Sequence, residues 1–281
     1  MTHLYLTSLN SGSNGNCYYI GNDEEAILID AGLSCRETEK RMHRLGLAIN
    51  KVKAIFVSHE HGDHIRGLEI LSRKHQLPVY ISSATLQNSG LELDPGLLRP
   101  LIAGTTVLIG ALLVNAFVKH HDAADPHSFT VENDKTCVGV FTDIGKVCDN
   151  LSTHFKKCHA AFLEANYDEV MLQNGRYPYH LKNRIRGGRG HLSNKEALDL
   201  FVSCKPAYMS HLLLSHLSAD NNHPDLVRDL FNKQANGTHI VVASRYQETP
   251  VYRIGESNSA TAPTRQSFGQ LDLFQDLLVQ R

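Results

Sequence analysis

The 281-residue sequence lacks several features that would place it in a broad class of protein. Its 28 lysines and arginines nearly balance 29 aspartates and glutamates, which leaves a formal net charge of -1. Such a chain has no global field that attracts nucleic acid, so any polyanion site must be a local patch. No apolar run approaches membrane-spanning length, and no basic segment followed by an apolar core opens the chain. We therefore expect a cytoplasmic location.

Cysteine pairs are also missing. The six cysteines are scattered without a C-x-x-C pair, and several lie in apolar segments. This pattern indicates buried free thiols rather than a disulfide framework or a zinc knuckle. Self-similarity at a period of about 20 to 50 residues is absent too, which argues against a repeat protein.

Histidine, in contrast, is abundant, with 17 in the chain. The stretch Ser58–His64 reads S-H-E-H-G-D-H and holds five potential metal ligands in seven residues. It follows the apolar run Ala54–Val57, which is typical of a buried strand, and precedes a segment with helical spacing. A strand-to-helix loop lets side chains on a rigid scaffold converge, and imidazole with carboxylate suits zinc, manganese or iron. The alternative is a solvated polar loop that is merely rich in histidine.

Metal-capable residues recur where apolar strands end. The five positions are Asp30, His59, His121, Asp143 and His216. Five such coincidences are hard to explain as ordinary loop polarity. At the third position the adjacent His120 is the alternative ligand.

The order H-x-H-x-D-H followed by His, Asp and His resembles the metallo-β-lactamase superfamily over roughly residues 1–255. The resemblance implies an α/β fold, a four-layer αββα sandwich, with two divalent metal ions at one edge of its sheets. We expect zinc, with manganese as the alternative. The implied ligands of the first ion are His59, His61 and His121, and those of the second are Asp63, His64 and His216. Asp143 is expected to bridge both ions, and Asp30 to orient the ligand loop by accepting a ring N–H.

Within the superfamily the chain is most similar to the YycJ (WalJ)-like branch. Four segments carry this similarity: Ser11–Asn16, His121–Pro126, Gly190–Asn194 and Ser215–Ser218. Members of that branch are regarded as metal-dependent nucleases that act on DNA. A departure lies at Glu164–Tyr167, where the pattern usually has a histidine after the asparagine. True β-lactamases carry a cysteine near the position that Asp143 is expected to fill. A carboxylate at this position therefore argues against antibiotic hydrolysis.

These features predict a divalent-metal-dependent phosphodiesterase or nuclease, most concretely a DNA exonuclease in repair or replication. Two metal ions would lower the pKa of a shared water so that hydroxide attacks the phosphoryl group. The expected catalytic residues are Asp63 and His191, the latter protonating the leaving oxygen. The expected substrate contacts are Asn16, Asn166, Arg184, Arg186 and Arg189. The alternatives are a lactone or thioester hydrolase with the same dinuclear site, and a scaffold protein that keeps the metals for stability.

The composition changes after Gly255. Residues 256–267 are rich in Ser, Thr, Ala and Asn without apolar periodicity, which is typical of a flexible linker. The following Gln270–Phe274 resembles the short peptide by which bacterial replication and repair proteins bind the DNA sliding clamp. Its expected contacts are Gln270, Leu271, Leu273 and Phe274. The alternative is a terminal amphipathic helix docked on its own domain.

Overall fold

The structure is a computed structural model that describes residues 3–255. The strands of the first sheet are β1 (Leu4–Asn10), β2 (Cys17–Gly21), β3 (Ala26–Ile29), β4 (Val52–Phe56), β5 (Val79–Ile81), β6 (Leu98–Pro100) and β14 (Tyr252–Ile254). Those of the second are β7 (Thr106–Ile109), β8 (Leu112–Val118), β9 (His127–Asn133), β10 (Thr136–Phe141), β11 (Ala160–Glu164), β12 (His211–Ser215) and β13 (His239–Val242). The helices are α1 (Cys35–Arg44), α2 (Gly62–Ile65), α3 (Leu68–His75), α4 (Ser83–Ser89), α5 (Asp149–Phe155), α6 (Glu169–Asn174), α7 (Tyr179–Arg186), α8 (Asn194–Cys204) and α9 (Pro224–Asn232).

The two sheets share one plan. The first has the order β14-β1-β2-β3-β4-β5-β6, and the second has the order β13-β12-β11-β10-β9-β8-β7. In each sheet a run of antiparallel pairs passes into three successive parallel pairs: β3 to β6 in the first, β10 to β13 in the second. Parallel strands present their carboxyl ends at one edge, so each sheet offers a row of loops there.

Strand β4 shows how the layers form. Ala54 and Phe56 belong to an apolar cluster that both sheets share, whereas Ile55 and Val57 belong to a second cluster that includes residues of α1 and α3. The alternation has period two, as the pleat requires, and both faces of the strand are buried. A third cluster packs the second sheet against α5, α8 and α9. The layers are therefore helix, sheet, sheet and helix, which confirms the expected αββα sandwich.

Local capping explains where several helices begin. The Ser34 side chain accepts a hydrogen bond from Glu37 N at the start of α1, as its position before the predicted helix suggested. Ser193 and Glu196 form a reciprocal capping box at α8. Among residues 3–255 no helix is long and apolar enough to cross a membrane. The linker and the Gln270–Phe274 peptide lie outside the described residues.

Candidate metal centre

The centre is built where strands end. Asp30 follows β3, Asp143 lies two residues after β10, and His216 follows β12. All three have left-handed backbone conformations, with φ of 63°, 54° and 56°. Non-glycine residues seldom adopt this region, although Asp and His tolerate it better than most. Left-handed conformations cluster at functional sites, where the surrounding structure enforces them to aim a side chain.

The first trio of candidate ligands converges on one point. His59 Nε2 lies 3.0 Å from His61 Nδ1, and His121 Nε2 lies 3.4 Å from the same Nδ1. The remaining ring nitrogen of His59 contacts Ser58 Oγ at 2.8 Å, and His121 Nδ1 donates to the carbonyl of Gly190 at 3.0 Å. Ser58 and Gly190 thus engage Nδ1 of His59 and of His121, and this leaves Nε2 of each ring to face the other ligands.

His121 and its neighbour His120 occupy different environments. His121 is buried within the trio, whereas His120 is exposed. The backbone carbonyl of His120 accepts from Gly145 N at 2.6 Å, which ties this loop to the loop that carries Asp143. The structure thus brings His121, and not His120, to the centre.

The second trio lies beside the first. Asp63 Oδ2 is 3.6 Å from His64 Nε2 and 3.5 Å from His216 Nε2. Asp143 lies between the trios, with Oδ2 3.2 Å from His64 Nε2 and Oδ1 3.8 Å from His121 Nε2. Asp143 therefore lies within 4 Å of a ring nitrogen from each trio.

Asp30 holds the ligand loop through three hydrogen bonds. Its Oδ2 accepts from His64 Nδ1 at 2.7 Å and from Ser58 Oγ at 2.8 Å, and its Oδ1 accepts from Ser58 N at 2.7 Å. Because Nδ1 of His64 is held in this way, Nε2 faces the centre. The Asp30 side chain is fully buried, and these contacts join it to His64 and to Ser58 of the loop.

Two buried atoms at the centre have no hydrogen-bond partner, namely Asp143 Oδ2 and His216 Nε2. Leaving a buried polar atom unpaired costs about 1–3 kcal/mol, and more when the group is charged. Both atoms face neighbouring ligand atoms at 3.2–3.5 Å without hydrogen-bonding geometry. Divalent ions among these nitrogen and oxygen donors would satisfy them, so the residues present fit the implied metals.

The electrostatics follow from burial and dense charge. Burial lowers the pKa of His59 well below its ordinary value and that of His121 to about 4, so both rings are neutral, as metal ligands must be. Burial alone would lower the pKa of His64 as well, but the surrounding carboxylates, Asp143 foremost, raise it to about 10. A metal at His64 Nε2 must displace that proton.

Sequence reasoning missed Glu164, the last residue of β11. Its Oε1 accepts from His191 Nδ1 at 2.8 Å and from His216 Nδ1 at 3.0 Å. Its Oε2 accepts from Ile144 N at 2.7 Å and Leu192 N at 3.2 Å. Burial would raise the pKa of Glu164, but His191 outweighs it and the pKa falls to about 2. The clue was present, since Glu164 also ends an apolar strand.

His191 stands at the rim of the centre. Its ring centroid is 5.5 Å from that of His121 and 5.3 Å from that of His216, and its side chain is 22% exposed. Glu164 binds Nδ1, so Nε2 is the ring atom left to act on a bound molecule.

The two asparagines expected to contact substrate are buried. Asn16 Nδ2 lies 3.1 Å from both Asp63 Oδ2 and His64 Nε2, and Asn166 Nδ2 donates to the carbonyl of His216 at 2.7 Å. Both side chains therefore contact candidate ligand residues and expose little surface.

The expected arginine loop is partly helical. Arg184 and Arg186 lie in the last turn of α7, and Arg189 follows it. All three are exposed, and Arg184 Nε is 2.5 Å from Asp122 Oδ2, next to His121. The backbone carbonyl of Gly190 then accepts from His121. Arg184 is thus held beside the first trio, whereas Arg186 contacts Gln173 Oε1 at 3.2 Å and Asn183 Oδ1 at 2.8 Å.

The chain is similar in sequence to proteins of one enzyme superfamily. The Metallo-beta-lactamase superfamily model matches residues 11–148. Exodeoxyribonuclease YycJ from Bacillus anthracis is 37% identical over 230 residues, covering 80% of this chain and 86% of that protein. The chain belongs to the metallo-β-lactamase superfamily. It is a metal-dependent hydrolase of that superfamily, which confirms the expected family and enzyme class.

A second relative and a solved structure are also similar to this chain. Exodeoxyribonuclease WalJ from Streptococcus pneumoniae serotype 2 is 30% identical over 223 residues, covering 78% of this chain and 83% of that protein. The crystal structure of the metallo-β-lactamase fold protein YhfI from Bacillus subtilis has a TM-score of 0.70 at 15% identity, covering 90% of this chain and 100% of that one. The latter likeness concerns the fold alone. The His and Asp clusters of this superfamily member are typical of a dinuclear metal site.

Proposed function

We propose that this protein is a divalent-metal-dependent DNA exonuclease, with zinc, or alternatively manganese, as its ions. The observation that carries the proposal is the pair of ligand trios joined by Asp143, in a chain homologous to two exodeoxyribonucleases. The ligands are His59, His61, His121, Asp63, His64, His216 and Asp143. We also propose that the protein acts in the cytoplasm, in DNA repair or replication.

When bound, two ions of this kind lower the pKa of water and neutralise charge on an attacked phosphoryl group. The chain itself supplies alignment and proton transfer. Asp30 and Glu164 hold His64 and His216 by their outer nitrogens, so the ligand positions are set in advance. Asp63, the partly exposed member of the second trio, would accept a hydrogen bond from the attacking water.

His191 is the residue we assign to protonate the leaving oxygen. Glu164 accepts a hydrogen bond from the Nδ1–H group of His191, which leaves the Nε2–H group to give its proton to the oxygen of the departing nucleotide. A sugar hydroxyl is a poor leaving group without such a donor, whereas a nitrophenolate leaves unaided. This difference separates the role of His191 from that of the ions.

Cationic side chains flank the centre on two sides. On one side Arg184 pairs with Asp122, next to His121, and Arg186 and Arg189 belong to the same exposed segment. On the other side Arg245 Nη2 donates to Ser13 Oγ at 2.7 Å, in the loop that continues to Asn16. Because the net charge is near zero, such local cations are the means by which the chain can hold a phosphate backbone. We propose that Asn16 and Asn166 position ligand residues and do not contact the nucleic acid.

The test is incubation of the purified full chain with end-labelled single- and double-stranded DNA and RNA, after removal of metal and reloading with zinc or manganese. We expect stepwise shortening of DNA, loss of activity on chelation, and no activity in the double variant Asp63→Ala/His64→Ala. His43→Ala, an exposed histidine on α1, is the matched control and should retain full activity. Full activity in the double variant, or hydrolysis of lactones or thioesters but not of DNA, would contradict the proposal.

The clamp interaction remains a separate proposal because its residues lie outside those described. We propose that Gln270, Leu271, Leu273 and Phe274 bind the DNA sliding clamp. A peptide of residues 266–281 should bind purified clamp, and the variant Leu273→Ala/Phe274→Ala should not. Failure to bind, together with a lower melting temperature after deletion of the tail, would favour a helix docked on the enzyme.

A further inference from the structure

A second cluster of metal-capable side chains lies away from the catalytic centre. Cys35 is the first residue of α1, Glu39 follows one turn later on the same face, and His75 is the last residue of α3. One ligand atom from each lies within 4.8 Å of the others. Among residues 3–255, this group of three shares no residue with the groups at the catalytic centre.

The contacts within this cluster are close to those of a metal site. His75 Nε2 is 2.6 Å from Glu39 Oε1, and Cys35 Sγ is 3.7 Å from the same oxygen. Tetrahedral zinc, with bonds of about 2.0–2.3 Å, sets its ligand atoms roughly 3.3–3.6 Å apart. Each separation thus needs to change by only about 1 Å, which rotations of Glu39 and His75 can supply because both side chains are partly exposed.

We propose that Cys35, Glu39 and His75 bind a divalent zinc-type ion that joins α1 to α3. Thiolate, imidazole and carboxylate together form a set of donors that binds zinc in preference to magnesium or calcium. Three protein ligands leave one position for water. Helix α3 begins at Leu68, shortly after the segment His59–His64. An ion that joins α1 to α3 would therefore stabilise the position of the segment that supplies the catalytic ligands.

Lys74 is the group that competes with the metal. Its Nζ lies 2.6 Å from Glu39 Oε1, and its side chain is 55% exposed. An exposed ion pair of this kind contributes little to stability, so the lysine can swing into solvent when the ion enters. Removing Lys74 should therefore strengthen metal binding, whereas a plain surface salt-bridge network would gain nothing from its loss.

Cys35 carries a neutral thiol in the absence of an ion. Its residue is buried, and burial together with the Glu39 carboxylate raises the pKa of the thiol. A thiol of this kind is a poor nucleophile, because the thiolate is the reactive form. A bound zinc-type ion deprotonates the thiol and supplies the positive charge that the buried thiolate lacks.

The test uses cobalt(II) as a spectroscopic stand-in for zinc on the full-length protein. Among the described residues the candidate catalytic ligands include no cysteine, so a sulfur-to-cobalt charge-transfer band in the near ultraviolet reports on cobalt bound elsewhere, and its loss in Cys35→Ser assigns it to Cys35. We expect wild type to show the band and to bind one more cobalt per chain than Cys35→Ser. Cys204→Ser, a partly buried cysteine at the end of α8, is the matched control and should keep both the band and the extra ion.

Two further variants decide the outcome if Cys35→Ser folds poorly. His75→Ala should lose the extra ion, and Lys74→Ala should keep the band and reach half-saturation at a lower cobalt concentration. Absence of the band in wild type overturns the proposal. So does equal cobalt content in wild type, Cys35→Ser and His75→Ala. Phosphodiester hydrolysis plays no part in these readouts, so the proposal stands or falls independently of the nuclease assignment.

Discussion

Glu164 offers the most informative perturbation, because one buried carboxylate serves His191 and His216 together. In Glu164→Gln one oxygen becomes an NH2 group that cannot accept. Either the two imidazole N–H groups lose their acceptor, or the backbone N–H groups of Ile144 and Leu192 do. Charge-assisted hydrogen bonds contribute about 1.5–3 kcal/mol each. We therefore expect a loss of about 3–5 kcal/mol in the free energy of unfolding, which is the range seen when one partner of a buried ion pair is removed.

That loss should lower the melting temperature by about 10 °C, which a domain of this size can survive. The catalytic effect should depend on the leaving group. On DNA we expect a rate about 10²-fold lower, in the range that a general acid contributes. On bis(p-nitrophenyl) phosphate, whose leaving group needs no proton, the loss should be much smaller, after correction for metal content.

Glu24→Gln is the control, since Glu24 is an exposed residue of the turn between β2 and β3. It should leave melting temperature and both rates unchanged. If Glu164→Gln were folded and hydrolysed DNA at the wild-type rate, the assignment of Glu164 as the positioning residue of His191 would be refuted. An equal loss on both substrates would instead assign its effect to His216 and the metals.

Three smaller predictions follow from single contacts. A Cβ at Gly32 would lie 1.7 Å from the Asp63 carbonyl oxygen, so Gly32→Ala should displace the ligand loop. We expect the free energy of unfolding, measured by chemical denaturation, to fall by about 1–3 kcal/mol and the amount of bound metal to fall as well. An unchanged metal content would contradict this. Ser193→Ala removes the capping box of α8 and should cost about 1 kcal/mol, whereas Ser203→Ala near the other end of that helix should cost less. Burial lowers the pKa of His211 to about 4, so its neutral form stabilises the fold above pH ~6.5 and that contribution is lost as the pH falls towards 4. His211→Asn should flatten the stability profile by up to about 1 kcal/mol in this window, after allowance for partial exposure, and an unchanged profile would refute the assignment.

Much of the centre could be predicted because the ligands are local in sequence or end recognisable strands. The loop His59–His64 sits between an apolar run and a helical pattern, and both periodicities hold in the structure. Ser34 likewise marked the start of α1, since the N-cap interaction involves residues only three apart. These features depend on neighbours along the chain.

The remaining features depend on tertiary contacts. Glu164 reads as an ordinary strand-end acid until His191 and His216 are placed beside it, 27 and 52 residues further on. The burial of Asn16 against Asp63, 47 residues further on, is likewise invisible in the neighbouring sequence. Helices α5, α6 and α7 are short and lack a clear apolar stripe, so periodicity did not predict them.

Anomalous diffraction from crystals of the metal-loaded protein, recorded on both sides of the metal absorption edge, would locate the ions and identify their ligands. We expect two peaks about 3.5–4 Å apart. One should lie among His59, His61 and His121, the other among Asp63, His64 and His216, with Asp143 touching both. A single peak, or two peaks that do not share Asp143, would contradict the dinuclear centre on which the proposed nuclease activity rests.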